Sequence, residues 1–463
     1  MNGKGWRWRI AAQAAALACV VLSAGAQAED VFSGRPLREG FGLAVKFNQG
    51  QPSDQLQALD ALNVHWVRDT VWWPAMEPRA GVYLPFPEAF QQRLSHYRRH
   101  NIGVVFYLAY ANPAAYPATK ANPLAPIDPE AFGRYAAHIA RLLKASGVRH
   151  VIEVWNEPHN FVIRKMVGGN WNGKPPSPWV AHYVDMVHHA VTAIKRVEPQ
   201  TRVITSEDVW VNHYWFLEAG LPAELDGFGV HPYTGRDAPG PESASVYPGS
   251  DWTKPFQVVD ADRSFASAIH RLRDHGRAKL GRQPEIWLTE WGWRVGEDVP
   301  EGRLTEAMQA VFLPRAFILA EAAGAQALIW FSFHDSTDGA YGLFSKRDER
   351  RLSFRAFQTL STELGDFALA ARLSDPSQRT AGLQAFLFNK AGVRKVAMWS
   401  ADNQTRLVTP PATWSVRRVV DAFGDAVTPS DAGTRPTYLV GAVPVYLELE
   451  GAGPVRLTSE ATR

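Results

Sequence analysis

The chain has one cysteine, Cys19, in 463 residues. It falls within the first 28 positions, a stretch that reads as removable, so the remainder has no thiol for a disulfide, a thiolate metal site or a cysteine nucleophile. An excess of charge of one sign is also missing. The whole chain carries 49 Lys and Arg against 46 Asp and Glu; residues 1–28 hold Lys4, Arg7 and Arg9 and no acid, which leaves 46 of each sign beyond them. That balance excludes the polybasic surface that grips nucleic acid. Local basic runs at 271–277 and 347–351 read as solvated faces. Nor is there an apolar run of the ~20 residues needed to span a bilayer. The apolar stretch after Arg9 is shorter than that, follows three cations and ends in Ala26-Gln27-Ala28, the layout of a cleaved secretory signal. Cleavage after Ala28 is expected to give an exported chain, periplasmic or secreted, with no stable membrane span.

What is present is a pattern of repeats. The 435 residues after Ala28 exceed the ~250 of one α/β barrel and leave room for a second, smaller domain. From residue 40 to about 365, eight short apolar runs alternate with helical patterns: FGLAVKF from Phe41, HWVRDTVWW from His65, GVVFYLAY from Gly103, HVIEVWNE from His150, RVITSED from Arg202, GFGVHPY from Gly227, EIWLTEW from Glu285 and ALIWFSF from Ala327. Alternation of this kind predicts βα units around a parallel sheet, and eight of them predict a closed (β/α)8 barrel over 29–365. One spacer, from Asp128, opens with an N-cap residue and Pro129 and carries apolar residues three and four apart, as a helix should. From 366 to 463 strand-like runs broken by Gly, Pro, Asp and Asn predict an all-β sandwich. Two long loops, Phe161 to Pro178 and Thr234 to Pro255, follow the fourth and sixth strands. In a barrel such loops lie on the catalytic face, as walls or lids or as functionless insertions.

Two carboxylates share one context. Glu157, in VIEVWNEP, ends the fourth strand; Glu290, in EIWLTEWGW, ends the seventh. A lone glutamate at a strand end reads as an ordinary ion pair, but two of them across a barrel mouth can converge on one bond. They are 133 positions apart, more than the ~95 that three barrel repeats require, and the two long loops take up the surplus. Paired carboxylates hydrolyse glycosides with retention at a separation of about 5–5.5 Å and with inversion at about 6.5 Å or more. For that work one carboxyl should have its pKa raised, to serve as acid, while the other stays ionised. Strict strand alternation would send Asn156 and Glu157 to opposite faces, so the fourth strand is expected to end or bulge there.

Trp155-Asn156-Glu157-Pro158 with Thr289-Glu290-Trp291-Gly292-Trp293 resembles the clan of retaining (β/α)8-barrel glycoside hydrolases. His231-Pro232-Tyr233-Thr234 and Tyr341-Gly342-Leu343 make the chain most similar to family 39 and to PslG-type exopolysaccharide glycosidases. The resemblance implies Glu157 as general acid/base and Glu290 as nucleophile, with no metal and no organic cofactor, acting on a polysaccharide or oligosaccharide outside the cytoplasm. It implies Arg68 as a partner of the nucleophile, an ion pair with Asp69 being the alternative. Asn156 matches the residue at the sugar 2-OH, Tyr233 a tyrosine beside the nucleophile, and Trp330 a platform tryptophan. His231 shares a nominal face with Tyr233, and a satisfied core histidine is its other reading. Trp73 and Tyr110 are further candidates for sugar contact, and core packing competes for Trp73 and Trp330 alike. His159 and the loop GGNWNG at 168–173 match no family pattern. If the two long loops stand on either side of a groove, with Trp171, Trp179, Tyr247 and Trp252 as stacking surfaces, the enzyme is expected to cut inside chains. Alternatives are an exo-acting β-glycosidase such as a β-xylosidase, a non-catalytic carbohydrate-binding barrel, and a metal hydrolase, which lacks an HExxH-type pair here.

Overall fold

The computed structural model describes residues 32–461 apart from 50–55, 118–127, 235–239, 245–249, 260–263, 297–303, 375–381, 403, 413, 431–434 and 451–457. The secretory signal expected at 1–28 lies outside the described residues. Eight parallel strands close in sequence order: β1 Phe41–Ala44, β2 Trp66–Asp69, β3 Gly103–Leu108, β4 His150–Val154, β5 Arg202–Ile204, β6 Gly227–Val230, β7 Glu285–Trp291 and β8 Ala327–Trp330. Each falls within one of the eight apolar runs. Their outward residues join the helices in one apolar core, while Trp66, Val105, Val151, Ile204, Trp287 and Ile329 fill the barrel's lower interior. Trp66 and Trp287 meet edge to face there at 4.8 Å, which leaves polar side chains only the upper levels.

The helix Pro129–Ser146 starts as its sequence dictates. Asp128 accepts a hydrogen bond from the Ala131 amide at 3.0 Å, and Gly147 closes the helix in the left-handed conformation at φ 67°. Among the described residues no helix is long and apolar enough to cross a membrane.

After the helix Leu352–Leu364 come eight strands in two antiparallel sheets. These are β9 Ala368–Arg372, β10 Leu383–Lys390, β11 Val393–Ser400, β12 Arg406–Thr409, β13 Ser415–Asp421, β14 Tyr438–Val440, β15 Val445–Glu450 and β16 Thr458–Ala461. One sheet runs β13-β15-β11-β10-β9, the other β14-β12-β16. Val396, Met398 and Leu447 of the first share a core with Val408, Tyr438 and Val440 of the second.

This domain is fastened to the barrel by a buried polar joint. Glu242, in the loop after β6, accepts from Arg315 Nε at 2.7 Å and Nη2 at 2.6 Å and from Trp399 Nε1 of β11 at 2.7 Å. A second joint ties Lys395 of β11 to Glu363 of the last barrel helix at 2.7 Å.

Candidate active site

Directly above the tryptophan layer, Arg68 projects inward two residues after Trp66. It donates from Nε to Glu153 at 2.6 Å, from Nη1 to Glu290, and from Nη2 to Asn156 Oδ1 at 2.6 Å. Its guanidinium also lies 4.4 Å from the Tyr107 ring centroid. Asp69 is not its partner; that carboxylate faces the helices and pairs with Arg93 at 3.1 Å. Burial works against the charge on Arg68, but the carboxylates of Glu153 and Glu290 outweigh it and raise the pKa.

Glu153 carries much of the order here, and the sequence reading did not single it out. It is wholly buried, accepts from Thr289 Oγ1 at 2.6 Å, and lies 3.8 Å from His231 Nε2. Burial raises its pKa, and Arg68 and His231 together lower it further than burial raises it. Gly229 of β6 makes room for it, since a Cβ there would stand 2.3 Å from the Thr205 carbonyl and 2.8 Å from Glu153 Oε1. The available signal was a charged residue inside an otherwise apolar strand, at the position where alternation turns a side chain inward.

The two strand ends that carry the glutamates break regularity, each in its own way. At β4, Trp155 and Glu157 take positive φ, 70° and 52°, a region costly for such side chains. The expected break is therefore a pair of left-handed residues, and both Asn156 and Glu157 address the mouth. At β7, the pairing with β8 shifts register between Leu288 and Trp291, so Thr289 and Glu290 both reach the interior.

Glu290 receives Arg68 on Oε1 and the Tyr233 hydroxyl on Oε2 at 3.0 Å. Glu157 has His231 Nδ1 at 3.2 Å from Oε1 and Asn160 Nδ2 at 3.2 Å from Oε2. An oxygen of Glu157, a nitrogen of His231 and an oxygen of Glu290 lie within 4.8 Å of one another. Three such groups could hold a cation, but Arg68 and Tyr233 already donate to the two oxygens of Glu290.

The electrostatics depart from expectation at Glu157. Burial pushes its carboxyl up, but the His231 hydrogen bond and charge, with His159 and Arg68 behind them, bring it down to about 2. Burial pushes His231 down, yet Glu290, Glu153 and Glu157 lift it to about 10. The proton therefore rests on His231, because its imidazole touches Glu157 and is within reach of three carboxylates.

His159 completes a second layer. It bonds Glu207 at the end of β5 through Nδ1 at 2.5 Å; burial opposes its charge, and Glu207 carries it to about 9. Next in sequence, half-buried Asp208 is pushed up to about 7, by burial first and then by Glu157.

Tyr110 joins the site through its hydroxyl, which accepts from Asn156 Nδ2 at 3.1 Å. Two tryptophan assignments need correction. Trp73 is buried, bonds Glu77 at 2.6 Å and stacks on Tyr135 at 5.1 Å, a core role. The neighbouring Trp72 is the half-buried ring that stacks on Tyr110, at 5.2 Å and 23°. Trp330 is fully buried on the outward face of β8 against Trp293; one residue on, Phe331 turns inward and meets Tyr233 and Tyr341.

The long loops do not stand on opposite sides. Trp171 of the first meets Trp252 of the second at 5.8 Å, and both lean on the helix Asn212–Glu218 after β5, where Asn212 bonds the Trp171 carbonyl and Trp215 packs on Phe256. Trp179 is wholly buried, and Tyr247 lies outside the described residues. The described parts of the two loops thus meet on the β4–β6 side rather than facing each other across a groove.

Fold and site together define a (β/α)8 barrel with two carboxylates converging at its C-terminal mouth and an antiparallel β domain behind it. No protein-family model matches the chain, and no curated protein matches it in sequence. Solved structures do. A family 39 glycoside hydrolase from the gut symbiont Bacteroides cellulosilyticus WH2 superposes with a TM-score of 0.70 at 20% identity, over 91% of this chain and 82% of that one. A family 39 β-xylosidase from Caulobacter crescentus gives 0.55 at 15% identity, over 91% and 98%. The family 39 enzyme from Xanthomonas axonopodis pv. citri gives 0.54 at 14%, over 90% and 96%. At these identities the likeness establishes a shared fold that extends through both domains.

Proposed function

We propose that the chain is an exported glycoside hydrolase that cleaves the glycosidic bonds of an extracytoplasmic polysaccharide with retention of configuration. The observation that carries the reading is the approach of Glu157 and Glu290, with oxygens within 4.8 Å across a mouth where Arg68 grips only one of them. Oxygens this close can act on one bond, and double displacement sets its carboxyl groups ~5–5.5 Å apart. Glu290 attacks the anomeric carbon while Glu157 gives a proton to the departing oxygen. The covalent glycosyl-enzyme then yields to a water that Glu157 deprotonates. His231 supplies the first proton through Nδ1 and takes back the second. Asn156, oriented by Arg68 and Tyr110, is placed to hydrogen-bond a sugar hydroxyl, and Trp72 with Tyr110 to stack on a ring. The reading of export rests on the N-terminal stretch, and that of an exopolysaccharide substrate on the motif resemblance.

The test is turnover of a panel of aryl glycosides and polysaccharides, with product configuration followed by proton NMR at early times. Retained anomer is expected as the first product. A first product of inverted configuration, or no turnover of any sugar, would overturn the reading. Product sizing on the cleaved polysaccharide separates mid-chain cutting from the exo action of a β-xylosidase.

A further inference from the structure

At the end of the barrel opposite the mouth, Asp60, His96 and His100 meet from two neighbouring helices. Asp60 lies in Leu56–Ala61, which leads into β2; His96 lies in the last turn of Glu88–Arg99, which leads into β3, and His100 caps it. A spacing of four puts both imidazoles on one helix face. Asp60 Oδ1 is 3.3 Å from His96 Nε2 and 3.1 Å from His100 Nδ1, and one ligating atom of each residue lies within 4.8 Å of the other two. A tetrahedral zinc ion with N and O ligands at about 2.0–2.2 Å holds them roughly 3.3–3.5 Å apart along each edge. Two of the three edges are thus already close to length; the His96 and His100 rings stack at 4.3 Å and 12°, so binding would turn one ring out of the stack to bring its lone pair to the shared point. Asp60 Oδ1 and His96 Nε2 are also hidden from solvent, and the 3.3 Å contact between them does not complete a hydrogen bond.

We propose that Asp60, His96 and His100 form a structural site for a divalent metal of the zinc class, which clips the helix before β2 to the helix before β3. Two imidazoles and one carboxylate favour zinc and its neighbours over magnesium or calcium, which seek all-oxygen sets. The His100 side chain is 43% exposed, so the site opens to solvent and water can complete the tetrahedron. The N-terminal face of a barrel serves stability rather than chemistry, so the ion should strengthen the fold and leave the mouth untouched.

The test uses the full chain without an affinity tag, stripped by chelator and titrated with Zn²⁺ by calorimetry and by thermal melting. One ion per chain and a raised Tm are expected. His100→Ala and Asp60→Asn should each bind at least tenfold more weakly while melting like the wild type in chelator. No Zn²⁺ binding by the wild type overturns the proposal, and so does binding unchanged in both variants, which would put the ion elsewhere. Glycoside turnover in chelator should be equal in all three proteins, so the hydrolase reading stands or falls separately.

Discussion

His231 and Glu157 share one proton: imidazole Nδ1 lies 3.2 Å from the carboxylate, with the histidine lifted to about 10 and the glutamate lowered to about 2. A histidine raised from 6.5 contributes stability that is complete below pH 6.5 and is lost as pH climbs through about 10. A glutamate lowered from 4.5 contributes stability above pH 4.5 and loses it as pH falls through about 2. The Tm gap between wild type and His231→Asn should therefore be widest from about pH 4.5 to 6.5 and shrink toward pH 10. In that variant the mobile proton belongs to Glu157 alone, so the alkaline limb of kcat/KM should move to lower pH. An unmoved limb would mean that His231 does not hold the proton.

Arg68→Met should cost both turnover and stability, because it strips the cation from Glu153 and Glu290 together. Breaking a buried pair in this way costs about 3–5 kcal/mol, which in a barrier is at least a hundredfold in kcat. The double variant Arg68→Met/Glu153→Gln should recover much of the Tm and none of the kcat. Recovery of both would make Arg68 a structural residue only.

Glu157→Ala and Glu290→Ala should respond differently to azide on an activated aryl glycoside. With Glu157 gone, azide can attack the glycosyl-enzyme and give a product of retained configuration; with Glu290 gone, it attacks the substrate directly and gives the inverted glycosyl azide. The same anomer from both variants would break the division of roles.

Trp72→Ala should raise KM by roughly three- to tenfold with little change in kcat, since a stacked ring contributes about 0.5–1.5 kcal/mol to binding. Trp73→Ala should instead lower the Tm by removing a buried ring from the helix layer, an effect of about 3–5 kcal/mol. Steady-state kinetics and melting on the two variants check the pair.

Those neighbouring tryptophans show where sequence reading stops. Strand positions were legible because eight runs of apolar residues recur between helical patterns, and all eight strands fall inside them. The β domain was legible as a class rather than strand by strand, since strands as short as β12 at Arg406–Thr409 carry too little alternation to mark them. Glu157, Glu290, Arg68, Asn156, Tyr110, His231 and Tyr233 converge as the motifs suggested. Trp73 and Trp330 do not, because one residue of phase at a strand end decides between mouth and core: Trp72 continues the inward series of Trp66 and Arg68, and Phe331 that of Ile329. Glu153 stayed hidden for a different reason. Its role depends on Arg68 and Thr289, which are 85 and 136 positions away in sequence.

The joint at Glu242 gives the C-terminal domain a hold on the loop that follows β6 at the barrel mouth. Its Trp399 and the barrel's Arg315 hold the same carboxylate, which belongs to the segment running on from Tyr233 toward Trp252. A barrel cut at residue 365 would keep Glu157, Glu290 and Arg68 and lose the outer hand on that segment. Swapping in another β domain would carry the same defect unless the donor brought an indole to the same place. The two domains are thus one machine for engineering purposes, and the boundary between them is a seam in the chain rather than in the loop they hold together.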